Sequence, residues 1–495
     1  MANRPTPLDP DGTRLPIKID TATNGEFAPI ALPPSIQAAV REAHGAATAN
    51  ARRLGVQRRA FLTSACGAAT TLLALNQAHA ASGSTGGRFD LPEVAALDTQ
   101  VAQAALAKRE FIFDVQGHHV NPTGAWVGKL RPDQRPLKSL PNAACDPPGA
   151  EGEVLGYLRC FNADNFVKDV FLDSDTDMMV LSFVPAAYDR QPLTLEEAVA
   201  TKALVKALDG TDRLLLHCPV NPNVPDGLAP MEAAASAHRI AAWKTYTQYG
   251  PQGPASGFWL DDEAHGIPFV EKARSLGVPM IAVHKGIPFA KEGYQYSTCA
   301  DVGRVARRYP DVTFLIYHAG YDPDVTEGPY NPDNTGGIDV LVRSLADNGI
   351  KPGGNVYAEL GSTWRFLMLR DPTQAAHAIG KLLLAVGEDR LLWGTDSVWY
   401  GSPQDQIQAF RAFQISEELR ARHGYPELTP ALKAKVFGLN ALKAYKVDQP
   451  GFLRKAEDDT VTRLRRAYQE SPDPAFETYG PKTRREFLAF KRLHG

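Results

Sequence analysis

FIFDVQGHHV, residues 111–120, is an apolar, strand-forming run that ends abruptly in polar side chains. Side chains alternate between the two faces of a strand, so we expect Asp114, Gln116 and His118 on one face, opposite the apolar side chains between them. This arrangement puts a carboxylate, a carboxamide and an imidazole at the carboxyl end of a strand, where a (β/α)8 barrel carries its functional groups. On its own, the run is equally typical of a strand end whose polar groups are satisfied by hydrogen bonds.

Strand-like and helix-like segments alternate from about Leu91 onward, which is typical of a parallel α/β fold. Counting the first strand there are eight, the number that closes a barrel, so the sequence predicts a (β/α)8 TIM barrel. A helix is predicted over Met231–Tyr249, before the fourth strand. The predicted strands are Phe111–His118, Met178–Pro185, Arg213–Pro219, Gly257–Leu260, Met280–Lys285, Thr313–His318, Asn355–Leu360 and Leu391–Asp396.

Three later predicted strands also end in a polar side chain. The fifth ends in His284, the sixth in His318 and the eighth in Asp396. One histidine at a strand end is more often a satisfied polar residue than a ligand, but three such endings together with the first strand favour a shared site. Imidazole and carboxylate are the ligand set of Zn²⁺ and related divalent ions.

A series of motifs follows the order and separations of a known family: Asp114-x-Gln116-x-His118, His284, His318, Gly394-Thr395-Asp396 and Phe437-Gly438-Leu439-Asn440-Ala441. In these residues the sequence resembles the amidohydrolase superfamily. The resemblance is nearest to the amidohydrolase-related (amidohydrolase 2) branch, which includes aminocarboxymuconate-semialdehyde decarboxylase and γ-resorcylate decarboxylase. It covers about residues 105–447 and implies a TIM barrel of the metal-dependent hydrolase type.

The resemblance implies a role for each motif residue. His118, His284 and Asp396 match metal ligands, and Asp396 also matches the base that takes a proton from metal-bound water. His318 matches the histidine that polarises the substrate or takes a proton. The implied cofactor is one divalent metal ion, and zinc is the metal we expect. A bound metal lowers the pKa of its water to about 7, which makes hydroxide available at neutral pH.

Gln116 departs from the family pattern, which has His or sometimes Glu at this position. Three arrangements stay open: Gln116 coordinates the metal, His119 replaces it, or the metal has only His118, His284 and Asp396 with water. A carboxamide is a neutral and weaker ligand, so a non-catalytic barrel that binds a small molecule also stays open.

The predicted fourth strand bears on the number of metals. Its residues, Trp259-Leu260-Asp261-Asp262, offer no lysine to be carbamylated as a bridge between two ions. We therefore predict one metal rather than two.

Candidate substrate contacts are defined less sharply by the sequence, because most Lys, Arg and Trp side chains have structural or solvent-exposed roles. A cation beside the metal would bind an anionic group, and a tryptophan would line an aromatic pocket. The candidates for substrate binding are Lys285, His217, Glu359 and Trp126, and those for a supporting position behind the ligands are Asp114 and His119.

Three functions follow from these residues and the resemblance. The first is a metal-dependent hydrolase in which metal-bound hydroxide attacks the carbonyl of an amide, lactone or ester. There Asp396 takes the proton and His318 stabilises the oxyanion. The second is a non-oxidative decarboxylase or hydratase of an unsaturated or aromatic carboxylic acid, which a cation beside the metal would favour. The third is the non-catalytic barrel.

The amino-terminal part contains a signal-like pattern. Arg58-Arg59 precedes a short apolar run that ends in Ala78-His79-Ala80, which resembles a twin-arginine signal cleaved after Ala80. The alternative is a basic helix start followed by an alanine-rich helix. We predict a disordered extension at 1–55 with a helix over Ser35–Arg53, a signal at 56–81, the barrel at 88–447 and a helical tail at 448–495. Export to the periplasm by the twin-arginine machinery is expected, with the cytoplasm as the alternative.

The overall composition excludes several partner classes. A net charge of -3, 44% hydrophobic and 22% charged residues indicate a globular protein with a small-molecule substrate rather than a nucleic-acid partner. No apolar run reaches the ~18 residues of a membrane span. A homodimer is compatible with the sequence. The five cysteines lack a CxxC pair, so no disulfide framework is expected, although one bridge such as Cys145–Cys160 stays open.

Overall fold

The computed structural model describes residues 14–129, 156–474 and 476–491. Within them, eight consecutive strands form one parallel sheet in sequence order, and the first and last strands form a separate antiparallel pair. The strands are β1 Gly87–Phe89, β2 Phe113–Gly117, β3 Met178–Leu181, β4 Leu214–Pro219, β5 Ala242–Tyr246, β6 Met280–His284, β7 Thr313–Tyr317, β8 Val356–Glu359, β9 Leu391–Leu392 and β10 Phe413–Ile415.

The eight-stranded sheet closes on itself between β9 and β2. A parallel bridge joins Gly117 to Ser397, and the Val115 N–H donates to the Trp393 carbonyl at 3.1 Å. Closure removes the unpaired edges that an open sheet would expose. The prediction of a (β/α)8 barrel is therefore confirmed.

Helices connect the strands and flank the barrel. They begin and end as follows: α1 Pro34–Arg53, α2 Arg58–Leu62, α3 Ala65–Ala81, α4 Thr99–Leu106, α5 Ala163–Val167, α6 Leu195–Asp209, α7 Pro230–Ala237, α8 Gly266–Ser275, α9 Tyr294–Ser297, α10 Val302–Arg308, α11 Ile338–Asp347, α12 Thr363–Arg370, α13 Pro372–Val386, α14 Gln404–Ala412, α15 Glu417–His423, α16 Pro430–Ala434, α17 Asn440–Ala444, α18 Gln449–Ala456, α19 Thr460–Glu470 and α20 Arg484–Lys491. None of these helices is long and apolar enough to cross a membrane. The last three form the predicted helical tail, which Asp459 ties to the barrel through an ion pair with Arg213 at 2.6 Å.

The fourth barrel strand is a correction to the sequence analysis. It is Ala242–Tyr246 rather than Gly257–Leu260, and the helix predicted over Met231–Tyr249 ends at Ala237. The alanine-rich start of that segment favours a helix, but Trp243, Thr245 and Tyr246 are aromatic or β-branched and favour a strand. The segment at 257–260 is irregular and belongs to the loop that follows β5.

The first barrel strand contains a β-bulge that the strict alternation did not predict. The register with β3 shifts between Asp114 and Gly117, so one extra residue is accommodated there. Phe113 packs among apolar side chains of the barrel interior, and Gln116, three residues later, also faces inward and contacts Asp396. An odd spacing of this kind is impossible in a regular strand. Asp114 therefore does not share a face with Gln116 and His118.

Residues 14–33 are held against the barrel, which corrects the expectation of disorder over 1–55 apart from its helix. Buried ion pairs hold the segment: Lys18 with Asp405 at 3.4 Å, and Arg365 with both Asp20 and Asp405 at 3.1 Å. These long-range charge pairs order the segment. Its sequence therefore shows no periodic pattern of apolar residues from which the order could be predicted. The predicted helix is present as α1.

The alanine-rich helix α3, which the sequence analysis interprets as a signal or as a structural helix, packs against α1 and α4. Leu72 and Leu75 are fully buried in the hydrophobic core. The Asn76 carboxamide exchanges two hydrogen bonds with the backbone of Phe89 in β1. These contacts favour the structural-helix interpretation.

Arg365 is the centre of the ion-pair network that holds the amino-terminal segment. Replacing it with Met leaves the buried Asp405 carboxylate without one of its cationic partners, so we expect the Arg365→Met variant to lose about 3–5 kcal/mol of unfolding free energy in urea. The Arg422→Met control removes an exposed i,i+4 pair with Glu418 and should change stability by less than about 0.5 kcal/mol. Equal stability of the two variants would contradict the role of this network.

Candidate active site

His284 and His318 face each other at the carboxyl end of the barrel. The Nε2 atom of His318 lies 3.1 Å from Nδ1 of His284, which lies 3.5 Å from Oε1 of Glu26. Candidate ligand atoms of these three residues all lie within 4.8 Å of one another. Two of the predicted site residues thus meet, together with a glutamate from the amino-terminal segment that the sequence analysis did not single out.

His118 and Asp396 form a second contacting pair beside the first. His118 Nε2 lies 3.1 Å from Asp396 Oδ1, and the His118 ring stacks on Trp399. Gln116 joins the pairs, because its Nε2 lies 3.0 Å from Asp396 Oδ1 and 3.5 Å from His318 Nε2. The predicted residues His118, Gln116, His284, His318 and Asp396 therefore form one continuous buried cluster.

The cluster holds Asp396 as a carboxylate. Burial alone would favour the protonated form, but the adjacent His118 and His318 and the Ser362 hydroxyl outweigh it and hold the pKa of Asp396 well below its ordinary value. The Ser362 hydroxyl and the Asn24 carboxamide both donate to Oδ2. Asp396 is therefore an acceptor with several donors arranged around it.

His284 and His318 are neutral imidazoles. Burial lowers the pKa of His318 to about 4, and it lowers the pKa of His284 well below 6.5 with a further contribution from His318. A neutral imidazole has a lone pair free for a metal ion, whereas an imidazolium does not.

Backbone strain is concentrated at the same place. His318, Asp396 and Ser362 have φ values of 65°, 59° and 54°, in the left-handed region that side chains other than glycine rarely adopt. All three residues follow the end of a barrel strand and direct a polar group toward the cluster. Such strain persists only where the surrounding structure enforces it, which is typical of functional sites.

Gln116 presents its amide nitrogen, not its oxygen, to the cluster, because the Asp396 carboxylate requires a donor there. Its Oε1 points toward Gly361, where a Cβ atom would lie 2.1 Å from it, so only glycine leaves room. A carboxamide coordinates through oxygen, so in this orientation Gln116 does not offer its ligand atom to the histidines, and Gln116 as a metal ligand stays a prediction.

Two buried carboxylates support the cluster from behind. Asp114 accepts hydrogen bonds from the backbone N–H groups of Gln116 at 3.0 Å and Thr395 at 3.1 Å. Glu359 accepts from the backbone N–H groups of His318 and Gly361. Burial raises the pKa of Asp114 to about 7 and that of Glu359 well above its ordinary value. Glu359 is therefore a positioning group for His318.

Lys244 is a functional candidate that the sequence analysis missed, because it lies on β5, which was predicted as helix. Its side chain is buried, and Nζ lies 4.0 Å from the Tyr246 ring centroid and 4.3 Å from that of Tyr317. Among the described residues Nζ has no hydrogen-bond partner. Burial lowers the pKa of Lys244 to about 7, opposed by the carboxylates of Glu26, Asp396 and Glu359. The fourth barrel strand thus contains a lysine, contrary to the prediction from sequence.

The donor set of the cluster fits a divalent cation. It combines neutral imidazoles with ionised carboxylates, the groups that bind Zn²⁺, Mn²⁺ and similar ions. His118 Nδ1 is buried and has no hydrogen-bond partner among the described residues. Glu26, His284 and His318 already bring three ligand atoms together.

A model of the amidohydrolase family matches residues 169–447, more than half of the chain. The protein belongs to the amidohydrolase family. The predicted motifs from His284 to Phe437–Ala441 lie within this match, and the amidohydrolase-related branch predicted from the sequence is confirmed. The chain is thus an enzyme of the amidohydrolase type. No curated protein matches the sequence.

Several solved structures are similar to this amidohydrolase at low sequence identity. A 5-carboxyvanillate decarboxylase from Sphingomonas paucimobilis has 14% identity and a TM-score of 0.43, over 68% of this chain and 99% of that one. A 2,6-dihydroxybenzoate decarboxylase from Rhizobium has 14% identity and a TM-score of 0.41, over 69% and 100%. A dihydroxybenzoic acid decarboxylase from Polaromonas sp. JS666, with bound manganese and the inhibitor 2-nitroresorcinol, has 14% identity and a TM-score of 0.41, over 70% and 99%.

Two of the predicted residues of the amidohydrolase site are engaged elsewhere. Lys285, expected to bind substrate, is fully buried and pairs with Asp301 at 2.9 Å and with the Tyr296 carbonyl. His119, expected behind the ligands or as a ligand, points outward to Thr201 of α6 at 3.1 Å. His119 follows the inward-facing His118, so alternation along the chain turns it away from the site.

His217 and Trp126 also make structural contacts rather than contacts with the cluster. His217 Nε2 lies 3.0 Å from the Tyr445 hydroxyl, deep in the barrel interior. The Trp126 indole N–H donates to the Asn121 carbonyl at 2.8 Å. Most of the long loop after β2, including Cys145, lies outside the described residues. Cys160 is disulfide-bonded.

Lys244 makes stability depend on pH. Its pKa falls from 10.5 in the unfolded chain to about 7 in the folded enzyme, so between these values the unfolded state binds more protons and stability rises with pH. We expect Lys244→Met to be more stable than the wild type by roughly 3–5 kcal/mol at pH 7. The difference should shrink as the pH approaches 10. Urea unfolding from pH 6 to 10 measures it, and a pH-independent difference would contradict a buried amine.

Proposed function

We propose that this amidohydrolase is a metal-dependent, non-oxidative decarboxylase that acts on a small aromatic or unsaturated carboxylic acid. The observation that carries the proposal is Lys244, a buried lysine on the inner face of the barrel. The Tyr246 ring, which Nζ contacts, stacks on His284 with 4.8 Å between ring centroids. A cation beside the metal cluster is the feature that favours a carboxylate substrate over a neutral amide, lactone or ester.

The proposal includes one divalent cation. His284 and His318 would hold it, with Asp396 and His118 beside them, and zinc is the metal expected for a site rich in imidazole. A cation bound there would act as a Lewis acid that polarises an oxygen atom of the substrate. Manganese is the alternative that metal analysis would reveal, since carboxylates are also present.

Lys244 would bind the substrate and supply a proton. Its pKa of about 7 lets the amine exist in both protonation states near neutral pH, and a bound carboxylate favours the ammonium form. The ammonium gives one proton to the carbon that carries the carboxylate. The bond to the carboxylate carbon then breaks, carbon dioxide leaves, and solvent reprotonates the amine. The rings of Tyr246 and Tyr317 flank the amine and hold it in place for this step.

Hydrolysis is the second candidate function, and the state of Asp396 favours it. A carboxylate held in its ionised form is suited to take a proton from an attacking water molecule. His318 would then stabilise the oxyanion on an amide, lactone or ester carbonyl. A non-catalytic barrel is the third candidate, which turnover of any substrate would exclude.

The cellular location involves two opposing observations. The disulfide at Cys160 favours an oxidising compartment such as the periplasm, consistent with twin-arginine export. The burial of α3 and the contacts of Asn24 and Glu26 with the site favour a chain that keeps its amino terminus. We propose that the segment before Ala81 is retained in the active enzyme, wherever the enzyme resides.

Carbon dioxide release tests the proposed reaction. Metal-supplemented enzyme incubated with carboxyl-¹³C-labelled hydroxybenzoates and unsaturated acids should release ¹³CO₂ with about one equivalent of bound metal. His284→Ala should lose the metal and the activity. Lys244→Met should lower kcat/KM at least about 100-fold, because the binding cation and proton donor are both removed. The exposed Lys291→Met is the control. Hydrolysis of amides or lactones without any ¹³CO₂ release would favour the second candidate instead.

The mass of the active protein tests retention of the amino terminus. We expect enzyme purified from a host with a twin-arginine pathway to keep the full 53.8 kDa mass, because α3 is part of the core. Intact-protein mass spectrometry of both cytoplasmic and periplasmic fractions measures it. Fully active enzyme that begins at Ala81 would contradict retention.

A further inference from the structure

Glu26 reaches the histidine cluster from outside the barrel. Its carboxylate lies 3.5 Å from His284 Nδ1, and ligand atoms of Glu26, His284 and His318 lie within 4.8 Å of one another. The Glu26 side chain is only 15% exposed and lies against two imidazole rings. A carboxylate and imidazoles are the donors that divalent cations such as Zn²⁺ bind.

Asn24 connects this glutamate to the rest of the cluster. Its carboxamide nitrogen donates to Asp396 Oδ2 at 2.9 Å and also to Oε2 of Glu26. One side chain therefore holds the two carboxylates on either side of the histidines. When both are ionised, these two carboxylates would balance the charge of one divalent cation.

The segment that carries Glu26 is fixed at several points. Lys18 and Asp20 form the buried ion pairs with Asp405 and Arg365 described above, and the Thr23 N–H donates to the Pro481 carbonyl at 3.0 Å. The anchors lie within eight residues of Glu26 in the chain. These anchors therefore fix the position of Glu26 beside the histidines.

The first barrel strand supplies one ligand fewer than the cluster needs. Gln116 directs its amide N–H group at Asp396, and its Oε1, which has no hydrogen-bond partner among the described residues, points toward Gly361 instead of the histidines. A site of this type therefore needs another anionic or imidazole donor in the same cavity. Glu26 is the described carboxylate that meets His284 and His318 there.

We propose that Glu26 is a protein ligand of the divalent cation, supplied from the amino-terminal segment in place of a first-strand ligand at Gln116. This inference rests on the proposed metal dependence and deepens it. It makes residues 14–33 part of the metal site rather than a leader or a cover. Asn24 is a positioning residue that holds the Glu26 carboxylate.

Metal affinity of the full-length protein tests the proposal. The metal-free wild type, Glu26→Gln and the exposed control Glu42→Gln are titrated with Zn²⁺ and Mn²⁺ against a chromogenic chelator. We expect Glu26→Gln to bind at least about 10-fold more weakly, because it removes a charged ligand, and Glu42→Gln to match the wild type. Asn24→Ala should show a smaller loss. Circular dichroism checks that all variants are folded.

A second measurement reports the ligand set directly. The visible absorption spectrum of the Co²⁺ form should differ between the wild type and Glu26→Gln, and should be unchanged in Glu42→Gln. A folded Glu26→Gln variant with wild-type affinity and spectrum would overturn the proposal. The same variant with wild-type affinity but faster turnover would overturn it in favour of a segment that merely blocks the site.

The outcomes also separate this proposal from the proposed reaction. If the wild type binds metal and His284→Ala does not, metal dependence stands whatever Glu26→Gln shows. If Glu26→Gln weakens binding while no acid is decarboxylated, the ligand assignment stands and the reaction is wrong. If the wild type binds no divalent metal, both proposals fall.

Discussion

The hydrogen bonds of the Asp114 carboxylate are the constraint on which the site depends. They tie the backbone of Gln116 to that of Thr395, so one side chain joins the first barrel strand to the last and fixes the bulge between them. The bulge turns Gln116 and His118 inward, and the hydrogen bonds between Asp114 and Thr395 bring Asp396 next to them. Together with the Val115–Trp393 hydrogen bond and the Gly117–Ser397 bridge, that carboxylate fixes the register in which the two edges of the barrel meet.

Most of the barrel could be predicted from sequence because apolar strands ending in polar residues are a local signal. Seven of the eight strands overlap their predictions, and the strand ends with His284, His318 and Asp396 meet as expected. The fourth strand could not be predicted in this way. The strand is only five residues long. Over so few residues, the pattern of apolar and polar side chains in a strand cannot be told apart from one face of a helix. The lysine was missed together with its strand.

The remaining errors have a common physical origin in contacts between distant parts of the chain. Lys285 was a reasonable anion-binding candidate by position, but Asp301, sixteen residues later, neutralises it inside the core. Glu26 lies in a stretch without hydrophobic periodicity, and its placement depends on ion pairs with residues more than 300 positions away. No window of sequence contains both partners of such a pair, so local patterns do not indicate it.

The hydrogen bond from Thr23 to Pro481 has a consequence for how the molecule is made. The segment that reaches the histidines is translated before its anchors at Arg365, Asp405 and Pro481, which lie more than 300 residues later. Closing so large a loop is slow relative to local folding. The barrel can therefore form around an incomplete centre, which is finished when residues 14–33 fold back onto these anchors.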